Sequence, residues 1–215
     1  MSFLNLFGRT SPSSVDPIPL ERLEIPLLPL GAVLFPGGLL SLKLSEQKYI
    51  EMAADCFESG TPFGVCLVGG GKSPDTSLEL HELGTLAHVR PESASVAGVL
   101  ALSVRGGRRF RTLSRELGAN GVIRARVELL AEPAGIEVPA AQRSLLPLLR
   151  KVVGDLGVEK IPEPHDFDDA AWVGYRLTEV MPVQLLAKQK LLELDDPVSR
   201  LEVLFAYLSQ RKLLI

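Results

Sequence analysis

Metal and thiol chemistry have little material in this sequence. It holds two cysteines and three histidines in 215 residues, and neither type clusters. Cys56 and Cys66 stand ten apart without CxxC spacing or a neighbouring histidine, so both read as buried thiols of a reducing cytosol. His81, His88 and His165 come without an HExxH pattern, which leaves no metal site to name. No apolar run reaches the roughly eighteen residues of a spanning helix. The opening MSFLNLFGRT lacks the basic start and unbroken apolar core of a secretory signal, so no membrane contact is expected and the protein is placed in the cytoplasm. An excess of one charge sign is missing too: the formal net charge of -3 gives no long-range attraction to polyanions.

Catalytic signatures are equally thin. Gly69-Gly70-Gly71-Lys72-Ser73 approaches a phosphate loop, but Cys66 stands where the first glycine belongs, and Pro74 follows where a helix should continue. No nucleotide or other cofactor is expected. Asp166, Asp168 and Asp169 lack the glycine and distal glutamate of a calcium loop and read as helix caps. No serine, histidine and aspartate form a persuasive nucleophile set.

What is present is an ordinary globular composition, 46% apolar and 23% charged, enough for one large domain or two small ones. Residues 1–20, rich in serine and proline, read as a flexible leader. From Leu23 the prolines Pro26, Pro29 and Pro36 exclude a helix, and two short strands joined by a tight loop fit the pattern. Ser45 offers a cap for a helix carrying Tyr49, Ile50, Ala53, Ala54 and Phe57, which Gly60 ends. Phe63 to Val68 and Gly84 to Val89 read as strands, with a loop over Gly69 to Ser77. Period-two alternation from Val99 to Leu130, with turn chemistry at Gly106-Gly107 and Asn120-Gly121, predicts antiparallel hairpins that close into a small twisted barrel. After Pro133 the period becomes helical. One stripe runs from Leu145 to Leu156 and stops at Gly157, and Asp168 or Asp169 caps a second helix with Trp172, Val173 and Leu177. Pro182 opens a third, and Asp196-Pro197 starts a fourth. The expected fold class is α+β: a barrel subdomain over 21–132, then a helical bundle over 133–215.

The ordered segments IPLLPLGAVLFPGGLLSLKLSE from Ile25, TPFGVCLV, ELGTLAHV at 82–89 and VLALSVRGGRRFRTL at 99–113 resemble the Lon N-terminal domain family over roughly Leu23 to Leu208. The resemblance implies a barrel similar to the pseudouridine-synthase-and-archaeosine-transglycosylase (PUA-like) fold followed by helices. It also implies a recognition role and packing roles for Trp172 and for Lys188-Gln189 with Lys190 to Glu193. Full Lon proteases continue into an ATPase module and a Ser-Lys protease module. This chain ends at Ile215 with neither, so a non-catalytic protein is expected.

Two candidate surfaces follow. The apolar loop residues Leu34, Phe35, Leu39 and Leu40 are candidates for holding unfolded polypeptide or a specific partner. Between 105 and 126 seven arginines face only Glu116. Arg105, Arg109, Arg111, Arg124 and Arg126 are therefore candidates for a charged ligand, with RNA binding as the alternative function. A monomer or weak dimer is expected.

Overall fold

The computed structural model describes residues 21–69, 79–96, 99–133 and 135–214. The expected leader and most of the Gly69 to Ser77 loop lie outside the described residues. Six strands come first: β1 (Arg22–Leu30), β2 (Leu39–Leu44), β3 (Phe63–Leu67), β4 (Leu83–Val96), β5 (Val99–Leu117) and β6 (Ile123–Leu129), with helix α1 (Gln47–Ser59) between β2 and β3. Helices α2 (Leu145–Leu156), α3 (Ala170–Val180), α4 (Leu185–Glu193) and α5 (Pro197–Gln210) follow, giving an α+β chain.

The strands lie in the order β2-β5-β4-β3-β1-β6, and a further β5–β6 pairing brings the sheet back on itself. The closure is irregular. β1 and β3 run parallel, Leu27 beside Gly64 through Leu30 beside Leu67, because the chain between them carries β2 and α1, a connection long enough for a crossover. The sheet is therefore mixed where an antiparallel barrel is expected. The two short strands expected around the loop do form, but they do not pair with each other: β1 lies between β3 and β6, while β2 pairs with β5 from Leu39–Arg105 to Leu44–Leu100. Bulges at Thr85/Ala87, Val89/Ser93 and Thr112/Ser114 bend the long strands.

Gly106-Gly107, expected as a turn, lies within the unbroken β5. The glycine serves close approach instead. The Gly37 N–H donates to the Gly106 carbonyl and the Gly106 N–H to the Gly38 carbonyl, both at 2.8 Å. A Cβ at position 106 would stand 2.0 Å from the Phe35 carbonyl oxygen. Gly106→Ala must push the Phe35–Gly38 turn away, so it is expected to lower stability by roughly 1–3 kcal/mol, as overpacking does, read as a shifted urea midpoint. Asn120-Gly121 does form a turn, between β5 and β6: Gly121 N–H donates to Gly118 at 2.9 Å and Val122 N–H to the Asn120 side chain at 3.1 Å.

The helices follow their local signals closely. α1 stops at Gly60 in the left-handed region, φ 68°. Its cap is Glu46, one residue after the expected Ser45, and the Glu46 carbonyl accepts from Tyr49 and Ile50. Pro147 sits in the first turn of α2, where no helical N–H is lost. Asp169 accepts from the Trp172 N–H at 2.6 Å and Asp196 from the Ser199 N–H at 2.7 Å, capping α3 and α5. Gln189 is buried on α4 and donates to the Leu83 carbonyl at 2.9 Å, tying that helix to β4. Trp172 packs edge-on against Phe167 with ring centres 5.1 Å apart.

Apolar side chains from β1, β3, β4, β5 and β6, among them Leu27, Leu86, Phe110 and Val127, form one core cluster. A second joins Met52, Ala53 and Cys56 of α1 to Leu28, Phe63 and Val104. A third packs the four later helices. A small fourth one, Phe35, Leu83, Ala171, Tyr175 and Leu192, welds the sheet to the helices.

Candidate polypeptide-binding groove

The weld is built by the loop between β1 and β2. Pro36 and the two glycines after it turn the chain back at Gly106, which drives the preceding Phe35 inward. Its ring meets Tyr175 of α3 with centroids 5.9 Å apart, and Phe35 is 0% exposed. Leu34 is 3% exposed, and its carbonyl accepts from the buried Thr85 hydroxyl at 2.7 Å. These two loop candidates lie in the core, under the surface and not on it.

Polar groups complete the junction. Arg109 has no exposed side-chain area, and its Nε donates to Glu132 at 2.8 Å. Its Nη1 donates to the Leu192 and Leu194 carbonyls at 2.8 and 3.0 Å and lies 3.3 Å from Asp195. The Tyr175 hydroxyl donates to the other Glu132 oxygen at 2.9 Å, and the Arg200 guanidinium sits 4.2 Å above the Tyr175 ring. Burial alone would lower the Arg109 pKa, but Tyr175, Glu132 and Asp195 outweigh it and hold the guanidinium charged. Arg109, a ligand candidate by sequence, is thus a structural tie between β5 and the end of α4.

A second ionic group clamps the turn itself. Arg176 of α3 donates through Nη2 to the Pro36 carbonyl at 2.6 Å and to Glu179 at 3.1 Å. Glu179 fits only because residue 38 is glycine: a Cβ there would stand 1.8 Å from the Glu179 Oε1. Lys188 of α4 donates to the Glu179 backbone carbonyl at 2.7 Å. Burial pushes the Glu179 carboxyl up to about 7, against the pull of Arg176 and Lys188. Its proton is held more tightly in the folded state than in the unfolded one. Between an ordinary value near 4.5 and about 7 this group therefore makes stability fall as pH rises. Urea unfolding at the two ends of that window should show the slope, and Glu179→Gln should flatten it; an unchanged slope would assign it to other groups.

Beside the clamp lies a groove of about 300 Å³ where the loop faces the ends of α2, α3 and α4. Leu34 and Phe35 are its floor. Val33, Leu39 and Leu40 are half-buried along one wall. Leu156, 44% exposed, and Leu185, 43% exposed, stand on the helical side with Val180, Lys160, Glu179 and Lys188. The structure thus brings the four loop candidates to one groove and adds a helical wall. Sequence reading missed Arg176 and Glu179, and it named Lys188 only among the packing positions that the resemblance implies. The one local signal is Arg176 itself, a charge in the stretch AAWVGYRLTEV that is otherwise apolar at most positions.

Of the remaining arginine candidates, Arg105 stands beside Leu39 and His88, and the other three do not form a strip of one sign. Arg105, Arg111, Arg124 and Arg126 are exposed. Strand register sets Arg126 beside Glu24, Arg124 beside Glu116 and Arg111 beside Glu128, and Glu128 also lies 3.5 Å from Arg22. Carboxylates supplied by β1 and the ends of β5 and β6 alternate with the cations.

Two other concavities carry less of this pattern. A groove of about 580 Å³ between α4 and α5, with Leu191, Val203 and Tyr207, is nearly all apolar. One of about 290 Å³ lies between α1 and the β1–β6 edge. Cys56, in that lining, and Cys66 are buried and free. Burial raises both thiols, Cys66 to about 12, so neither is poised to ionise at neutral pH. No described helix is long and apolar enough to cross a membrane.

Comparison with known proteins places this geometry. The family model for the ATP-dependent protease La (LON) substrate-binding domain matches residues 24–210. A solved Lon N-terminal domain protein from Xanthomonas campestris is 32% identical and superposes with a TM-score of 0.70, over 86% of this chain and 98% of that one. The N-terminal domain of a Mycobacterium avium complex Lon protease, 20% identical, shares the fold with a TM-score of 0.60 over 87% of this chain and 98% of its own. Among curated sequences, Lon protease of Anaeromyxobacter dehalogenans is 24% identical over 95% of this chain and 26% of its own length. Lon protease 2 of Myxococcus xanthus is 26% identical over 87% and 24%. The chain spans about a quarter of the curated relatives it matches.

Proposed function

The chain belongs to the ATP-dependent protease La (LON) substrate-binding domain family, and from that premise we propose that it is a non-catalytic cytoplasmic protein that holds extended polypeptide in the groove between the β1–β2 loop and the helices. In this reading residues 21–132 and 133–215 act as two subdomains meeting at the groove, and the protein works as a monomer or weak dimer. One observation carries it: half-buried loop leucines, Leu39 and Leu40, face the exposed Leu156 and Leu185 across one concavity, an arrangement suited to apolar side chains of a bound chain.

A fluorescence anisotropy titration with a labelled neutral peptide of leucine, phenylalanine and serine tests it. Saturable binding is expected. Leu185→Ser and Leu156→Ser should each weaken it by on the order of tenfold, since burying a leucine side chain is worth about 1.5–3 kcal/mol. Val203→Ser, in the α4–α5 groove, should leave it unchanged. The opposite pattern would move the site to that groove. The same titration with single-stranded RNA is expected to show no saturable binding, because a backbone polyanion meets alternating charges on the arginine face.

A further inference from the structure

We propose that the groove selects polypeptide segments whose apolar side chain is flanked by an acidic one, the apolar group packing between Leu40 and Leu185 and the carboxylate pairing with Lys160 and Lys188; this rests on the polypeptide-binding reading above. The charge distribution carries it. Among the described residues of the lining, Lys160, Lys188 and Glu179 are the charged groups. Glu179 is already engaged by the buried Arg176 at 3.1 Å, so the two lysines are the cations of the lining left without a carboxylate in it. The local excess is opposite in sign to the net charge of -3.

Both lysines have donors to spare. Lys188 uses one N–H on the Glu179 backbone carbonyl and retains two of the three an ammonium carries. Lys160 is exposed, and no described carboxylate lies within 4.0 Å of its ammonium. It stands just past α2, beside Ile161 in the lining, where an incoming carboxylate can reach it without displacing a protein group. A basic flank would meet like charge at the same place, and such repulsion discriminates between partners more sharply than attraction does.

Three labelled peptides that share one apolar centre and differ in aspartate, serine or lysine flanks distinguish the outcomes. The aspartate peptide is expected to bind roughly threefold to tenfold tighter than the serine peptide, the range for one or two partly exposed ion pairs, with the lysine peptide weakest. Added salt should compress the ranking. Lys160→Glu, a change at an exposed position, should narrow or invert it. Equal binding of all three peptides, or an unchanged ranking in Lys160→Glu, with Leu185→Ser still weakening each of them, would overturn the selectivity alone. Failure of all three to bind would overturn the polypeptide reading and the selectivity with it.

Discussion

Arg109→Met is expected to lower the stability of the chain by about 3–5 kcal/mol, the range for removing one partner of a buried ion pair. The guanidinium has no exposed area and answers Glu132, Asp195 and two backbone carbonyls at the end of α4. Methionine fills much of the volume but leaves Glu132 with only the Tyr175 hydroxyl and the Arg109 backbone N–H. It also strips the Leu192 and Leu194 carbonyls of a charged donor. Arg111→Met, two residues along the same strand and exposed, should change stability by no more than about 0.5 kcal/mol. Urea unfolding of the two variants side by side reads the contrast. Similar small shifts in both would mean that Arg109 is not the tie between sheet and helices.

Phe35→Ala is the second large effect, a loss of about 3–5 kcal/mol from a fully buried aromatic side chain. Phe35 is the loop's one contribution to the cluster that also holds Leu83, Ala171, Tyr175 and Leu192, apart from the partly buried Val33. The cavity left behind is bordered by β4 and α3, which cannot collapse onto it while Arg176 still pins the Pro36 carbonyl. The variant should unfold at a markedly lower urea concentration. A shift as small as that of an exposed leucine would return Phe35 to the list of ligand-contacting side chains.

The contrast between Arg109 and Arg111 also shows where reading the sequence stops. Strand alternation puts both on one face, and nothing within the stretch VRGGRRFRTL distinguishes them. What does is distant in sequence: the carbonyls of Leu192 and Leu194 close over the first and leave the second in water. Gly106 fails for a related reason. A Gly-Gly pair is the same sequence whether the chain turns or another backbone comes close, and here Phe35, some seventy residues earlier, makes the approach. The order of the strands was hidden as well, since pairing β1 with β3 in parallel depends on how the intervening helix packs.

Signals acting over a few residues were legible. Asp169 and Asp196 cap the helices expected of them, and Gly60 and Gly157 end theirs. For the groove, the loop leucines could be named from sequence because prolines mark the loop. Their helical partners could not be, because Leu156 and Leu185 look like any other leucines of an amphipathic stripe until the helix ends are placed against the loop.

The most direct test is a two-dimensional amide NMR titration of the ¹⁵N-labelled protein with the neutral apolar peptide. Saturable shifts at Leu39, Leu40, Leu185 and Lys188, with Val203 and Tyr207 unmoved, are what the groove predicts. Shifts concentrated at Val203 and Tyr207, or spread over Arg111, Arg124 and Arg126, would contradict it.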